Sequence, residues 1–130
     1  MKTIEEQRKE FLDETIAFYS ADTNRRATVV DKIGCFYRSP TGNKCAIGRY
    51  IPDDKYKTSF ENLAFHFFID TTNDETQKEL WNALPEHIQA LGVPFLANIQ
   101  KLHDADKYWG INQLSEAGQV YVANIRNKFC

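Results

Sequence analysis

The sequence predicts one α+β domain in which a single β-hairpin packs against several α-helices. Three observations carry that reading. The chain has 130 residues, 42% of them hydrophobic, enough to bury one core and too few for two comfortable domains, so residues 1–130 read as one unit. A turn signature, Ser39-Pro40-Thr41-Gly42, separates two short runs in which apolar and polar residues alternate. Elsewhere apolar residues recur every three to four positions, over segments bounded by capping residues.

The elements follow in order. Residues 3 to 20 read as an amphipathic helix with Ile4, Phe11, Thr15, Phe18 and Tyr19 on one broad face and Leu12 beside it. Thr3-x-x-Glu6 has the form of a capping box, and Asp22-Thr23-Asn24 stops the helix. The hairpin comes next, with strands over residues 32–39 and 43–51. Pro40 at the second turn position and Gly42 at the fourth suit a type I turn followed by a left-handed glycine bulge. That loop pairs Ser39 with Asn43, Tyr37 with Cys45 and Cys35 with Ile47. Ile33, Cys35, Tyr37, Cys45, Ile47 and Arg49 then share one face, and Phe36, Arg38, Lys44, Ala46 and Gly48 the other. Cys35 and Cys45 sit diagonally, about 7–8 Å apart, at or beyond the reach of a disulfide, so free thiols are expected there and at Cys130.

Ile51-Pro52-Asp53-Asp54 leaves the sheet through a turn, and Asp53 would cap a short helical turn reaching Tyr56. Thr58-x-x-Glu61 is a second capping box. Residues 60–69 fit both periods, and the upstream cap favours a helix. After a loop at 70–73, a helix over 74–84 presents Leu80, Trp81 and Leu84. Pro85 opens a short helix closed by Gly92, and Pro94 opens one over 95–107 with Phe95, Leu96, Ile99, Leu102 and His103 on one side. A last helix over 113–128 shows Leu114, Ala117, Gly118, Tyr121, Val122 and Ile125.

Composition bounds the function. No apolar stretch approaches the roughly 20 residues of a membrane helix. The first residues, Met1-Lys2-Thr3-Ile4-Glu5-Glu6, are too acidic and polar for a signal peptide. Three cysteines suit a reducing compartment, so a cytoplasmic location is expected. The net charge of −2 excludes a generally basic binder of extended nucleic acid. The charge is uneven, however. Residues 25–57 hold eight bases against three acids, a net of +5, which leaves −7 for the rest. Such asymmetry marks a contact surface for an anion or an acidic partner, or a hairpin whose charges pair with nearby acidic helices.

Two stretches resemble a known family. The first runs from Cys35-Phe36-Tyr37-Arg38-Ser39-Pro40-Thr41-Gly42-Asn43-Lys44-Cys45-Ala46-Ile47-Gly48 through Arg49-Tyr50-Ile51-Pro52-Asp53 to Tyr56. The second is Ile99-Gln100-Lys101-Leu102-His103-Asp104. Together they resemble a family of small proteins common in tailed-phage and prophage genomes. That family carries a Cys-x-Tyr-Arg-x-Pro-x-Gly-x-Lys-Cys-Ala-x-Gly core, an Ile-Pro-Asp-x-x-Tyr exit and a later Leu-Gln-x-x-His-Asp, where Ile99 here replaces the leucine. The match covers about a third of the chain. It implies a setting rather than a mechanism: a phage accessory protein inside a bacterial cell, of the sort that disarms host defence or redirects host enzymes.

Candidate chemistry centres on the hairpin. Cys35, Cys45 and His103 lack the tight paired spacing of a zinc site, and small buried packing residues are the simpler reading. No position in the sequence joins either cysteine to His103 as nucleophile and base, and Asp104 is not expected to orient His103, because adjacent helical residues point about 100° apart. His103 faces inward with Leu96 and Ile99, where it would brace the hairpin or its exit, through Asp53 or a carbonyl, or else touch a ligand. His66 and His87 read as ordinary. Arg38 and Lys44 are cross-strand neighbours, mildly repulsive unless an anion or a carboxylate such as Asp53 or Asp54 lies between them. With Phe36 on the same face, Arg49 nearby and Tyr50 and Tyr56 at the exit, cations interleave with aromatics as a phosphate plus a base ring requires. The expected function is therefore a non-enzymatic binder of a nucleotide-like ligand through Phe36, Arg38, Lys44, Arg49, Tyr50, Tyr56 and His103. It implies no cofactor, no metal and no membrane. The alternatives are a protein inhibitor of a host enzyme and, below it, a small hydrolase or nuclease.

Overall fold

The computed structural model describes residues 2–26, 37–39, 42–62, 65 and 69–130. Helix α1 spans Ile4–Ala21, and Thr3 Oγ1 accepts from Glu6 N at 3.1 Å, so the first cap forms as its spacing requires. It buries Phe11, Leu12, Thr15 and Tyr19. Asp22 ends the helix in an extended conformation and its carboxylate caps the 3-10 turn Thr23–Arg25.

Helices α2 (Glu75–Ala83) and α3 (Glu86–Gln89) start at Asp74 and Pro85. Gly92, at φ +91°, turns the chain into α4 (Val93–Asp104), a conformation strained for any residue with a Cβ. Helix α4 buries Val93, Phe95, Leu96, Ile99, Gln100, Leu102 and His103 and forms the centre of the core. A 3-10 turn, Asp106–Tyr108, leads to a two-stranded antiparallel sheet, β1 (Trp109–Gly110) and β2 (Gln113–Leu114), with Trp109 opposite Leu114. Helix α5 (Glu116–Phe129), capped by Ser115, packs on α1, α4 and the Asp106–Tyr108 turn. Long-range bonds tie the two ends together. Arg8 Nε donates to Leu91 O at 2.9 Å, Arg126 pairs with Asp13, and Thr23 and Asn112 exchange hydrogen bonds.

The architecture is the α+β domain read from the sequence, but its sheet lies elsewhere. The turn after Gly110 bends through Asn112 at φ +53°, a conformation asparagine tolerates, and β2 takes up the first residues of the stretch read as the last helix. Helix α4 accordingly ends three residues early and α5 begins three late. Among the described residues the expected hairpin shows one antiparallel bridge, Arg38 with Lys44, in the expected register. Ser39 N donates to Asn43 O at 2.8 Å, Cys45 N to Tyr37 O at 3.1 Å, and Gly42 adopts φ +91°.

Beyond Lys44 the second strand is replaced by a buried corner and the 3-10 turn Gly48–Tyr50. Alternation would bury every other residue, yet Cys45, Ala46 and Ile47 are all buried. Past Cys45 the amides bond off-ladder: Ile47 N donates to Gln100 Oε1 and Gly48 N to Cys45 Sγ. Residues 58–62 form a 3-10 helix, Thr58–Asn62, rather than the start of an α-helix. Cys45 and Cys130 are free thiols. Cys35, Phe36, His66, most of the first expected strand and residues 63–64 and 66–68, on which the helix-or-strand question turns, lie outside the described residues. Among the described residues no helix is long and apolar enough to cross a membrane.

Candidate functional site

Three anchors position the basic segment. Tyr19 on α1 donates its hydroxyl to Lys44 O at 2.6 Å, fixing the bridge against the helix. Glu14, one turn earlier, accepts from both terminal nitrogens of Arg49 (2.6 and 3.1 Å) and from Tyr50 OH (3.0 Å). Burial pushes the Glu14 carboxyl up, but the bonds and charge of Arg49 and the bond from Tyr50 outweigh it and hold it below its usual value. The third anchor is the ring of Phe18. The Arg49 guanidinium lies 3.6 Å from its centroid and that of Arg25 4.7 Å, so two cations share one ring.

These anchors create an open cleft of about 290 Å³ lined by Phe18, Arg25, Gly42, Asn43, Lys44 and Arg49. Two of the expected residues, Lys44 and Arg49, meet there. Phe18, Arg25 and Asn43 were not singled out by sequence reasoning. The pair Arg25-Arg26 opens the +5 segment, and that was the available signal.

The remaining expected residues point elsewhere. Arg38 Nη2 pairs with Asp53 Oδ1 at 2.7 Å and donates to Ile51 O at 2.8 Å, while its guanidinium lies 4.5 Å from the Tyr56 centroid. Lys44 Nζ stands 3.9 Å from the same Asp53 oxygen. The repulsion expected across the bridge is therefore relieved by a carboxylate of the chain itself. Tyr56 OH donates to Glu61, whose two oxygens also accept from Tyr37 N and Arg38 N. Glu61 is thus a docking post for the bridge. Gly48 likewise serves packing rather than a ligand, because a Cβ there would lie 2.2 Å from Tyr37 O.

His103 is fully buried, with Tyr19 edge-on at 5.0 Å. Its Nδ1 faces Asp104 Oδ1 at 2.8 Å, and Gln100 Nε2 donates to that same oxygen at 2.9 Å. The expectation that Asp104 would not orient His103 fails. The angle between adjacent side chains is closed by rotation at the end of α4, with Gln100 one turn back holding the carboxylate. Asp53, occupied by Arg38, is not the histidine's partner. Bracing is the role the geometry gives His103, and its burial takes it away from solvent-borne ligands.

Burial lowers the His103 pKa from 6.5; the Asp104 bond and charge oppose this, and the charge of Arg26 adds to it. The unfolded chain then binds more protons, so stability is full above pH 6.5 and declines as pH falls below it. Urea midpoints should drop between pH 7.5 and 5.5, and His103→Gln should flatten that slope even if it lowers stability throughout. Burial also pushes the Cys45 thiol up to about 12, so it stays protonated and unreactive at neutral pH. Among the described residues no three His, Cys, Asp or Glu side chains gather to hold a metal ion.

No family model, curated protein or solved structure matches the chain at a significant level.

Proposed function

We propose that this protein is a non-enzymatic binder of a phosphate-bearing small ligand, with the phosphate in the cleft around Phe18. The supporting observation is the convergence of Arg25, Lys44 and Arg49 on one open cleft beside a glycine and an aromatic ring. Arg49 is closely held by a carboxylate. Lys44 is 39% exposed and 3.9 Å from Asp53, and Arg25 is exposed and meets a carbonyl, Phe18 O, at 3.2 Å. Both retain donors for a ligand. The cleft volume lies at the small end for ligand sites, suited to a phosphate and what is directly attached to it. The phage-like motif supplies the setting: an accessory protein of the bacterial cytoplasm that sequesters a nucleotide or nucleotide second messenger of host defence.

Thermal shift against a nucleotide panel tests this. A bound nucleotide at a hundred-fold excess over Kd should raise Tm by roughly 5 °C or more. Arg25→Ala/Lys44→Ala should abolish the shift while the chain still folds, since both side chains reach solvent. No shift with any nucleotide overturns the proposal. A second reading, an inhibitor that docks on a host protein, is favoured by Ile111, 88% exposed in the β1–β2 turn, and Val120, 59% exposed on α5. Stoichiometric capture of a host protein that survives high salt would favour it over the first.

A further inference from the structure

Beside the basic cleft lies a second one of about 420 Å³, with Asn24, Arg26, Ser39, Asn43, Asp106 and Trp109 among its walls. Asn43 lines both clefts, and its Nδ2 donates to Asn24 O at 2.7 Å, so its side chain stands between them. Arg26 is 8% exposed. Its Nε donates to His103 O at 2.8 Å and its Nη1 to Asp106 Oδ1 at 2.9 Å, but its Nη2 is buried and meets no acceptor among the described residues. Buried donors in native proteins are nearly always paired, and a charged one is the least tolerated exception. Asp106, at the other side of this pair, is 88% exposed, and its Oδ2 accepts no hydrogen bond among the described residues. The two bonded side chains therefore each keep one unused group, a donor on Arg26 and an acceptor on Asp106.

The complement of that pair is a carbonyl oxygen beside an N–H. The charges of Arg26 and Asp106 cancel, so a neutral group suits this cleft better than a second phosphate. Guanine and uracil rings carry such an edge; adenine and cytosine do not. We propose that the second cleft takes a nucleobase of the guanine or uracil kind, with its carbonyl on Arg26 Nη2 and its N–H on Asp106, while the phosphate occupies the basic cleft across Asn43. This inference rests on the phosphate-binding reading and names its ligand. Nη2 is itself covered, so the base makes that bond only as the cleft floor yields on binding.

Calorimetric titration of the full chain with GMP, UMP, AMP, CMP and inorganic pyrophosphate tests it. GMP and UMP should bind at least about ten-fold more tightly than AMP and CMP. Asp106→Asn, which keeps an oxygen for Arg26 Nη1, should erase that preference while pyrophosphate binding persists. Equal affinity for all four nucleotides, or a preference that persists in Asp106→Asn, overturns the base assignment and leaves the phosphate site standing. Absence of binding by every nucleotide and by pyrophosphate overturns both.

Discussion

Replacing Glu61 with alanine is expected to destabilise the protein by about 3 kcal/mol, read from urea unfolding. One carboxylate accepts from Tyr37 N at 2.8 Å, from Arg38 N at 2.9 Å and from Tyr56 OH. Its removal takes this acceptor from both backbone donors beside the buried Tyr37, and the loss of such a bond costs about 1–3 kcal/mol where the donor stays covered. It also frees the Tyr56 ring on which the Arg38 guanidinium rests. Burial, with the Glu61 bond and charge, pushes the Tyr56 hydroxyl up to about 12, so it remains a donor across the neutral range. Glu61→Gln keeps one acceptor oxygen and should lose about half as much. A change below about 1 kcal/mol for Glu61→Ala would show that the carboxylate does not hold the bridge in solution.

Gly118→Ala is expected to cost about 3 kcal/mol or more, although alanine is the better helix former by about 1 kcal/mol. A Cβ at Gly118 would lie 2.0 Å from Tyr108 O and 3.1 Å from Leu114 Cδ2. Tyr108 O already accepts from Ser115 N at 2.9 Å, and the Tyr108 ring stacks on Tyr121 at 4.5 Å, so neither side of the contact yields freely. Helix α5 would have to lift from the turn it covers. Gly42→Ala separates sterics from backbone strain. Nothing lies within 4 Å of a Cβ there, so only the left-handed conformation is penalised, by about 1–2 kcal/mol. Thermal melts of the two variants should therefore differ, and equal losses would overturn the steric reading.

The helices were legible because their ends are chemically marked. Thr3, Asp74 and Pro85 each open a helix where the local rules place it, and Pro94 stands in the first turn of α4. The hairpin was legible only at its turn. Its register at Ser39–Asn43 and Arg38–Lys44 follows from the loop, but the fate of residues 45–50 depends on Gln100 and Tyr37, which no local pattern reveals. Glu61 has the spacing of a capping residue and is used for tertiary docking, a distinction that spacing alone does not carry. Of the basic cleft, Lys44 and Arg49 could be named from their segment. Phe18 could not, because its value lies in sitting opposite Arg25 and Arg49, and that requires the fold. Asp53 was named as a possible counter-charge for Arg38 and Lys44, and it takes that place.

The contacts between the two ends of the chain bear on how it is made. Arg8 reaches the carbonyl of Leu91, Asp13 meets Arg126, and Thr23 meets Asn112. Closing such loops must precede the contacts that reward them, which slows folding. During synthesis α1 leaves the ribosome well before α4 and β1 have been translated. The apolar face of Phe11 and Tyr19 therefore waits for Phe95, His103 and Trp109, which pack against it in the folded chain. Until then that face is open to solvent, and the nascent chain exposes apolar surface that the folded one buries.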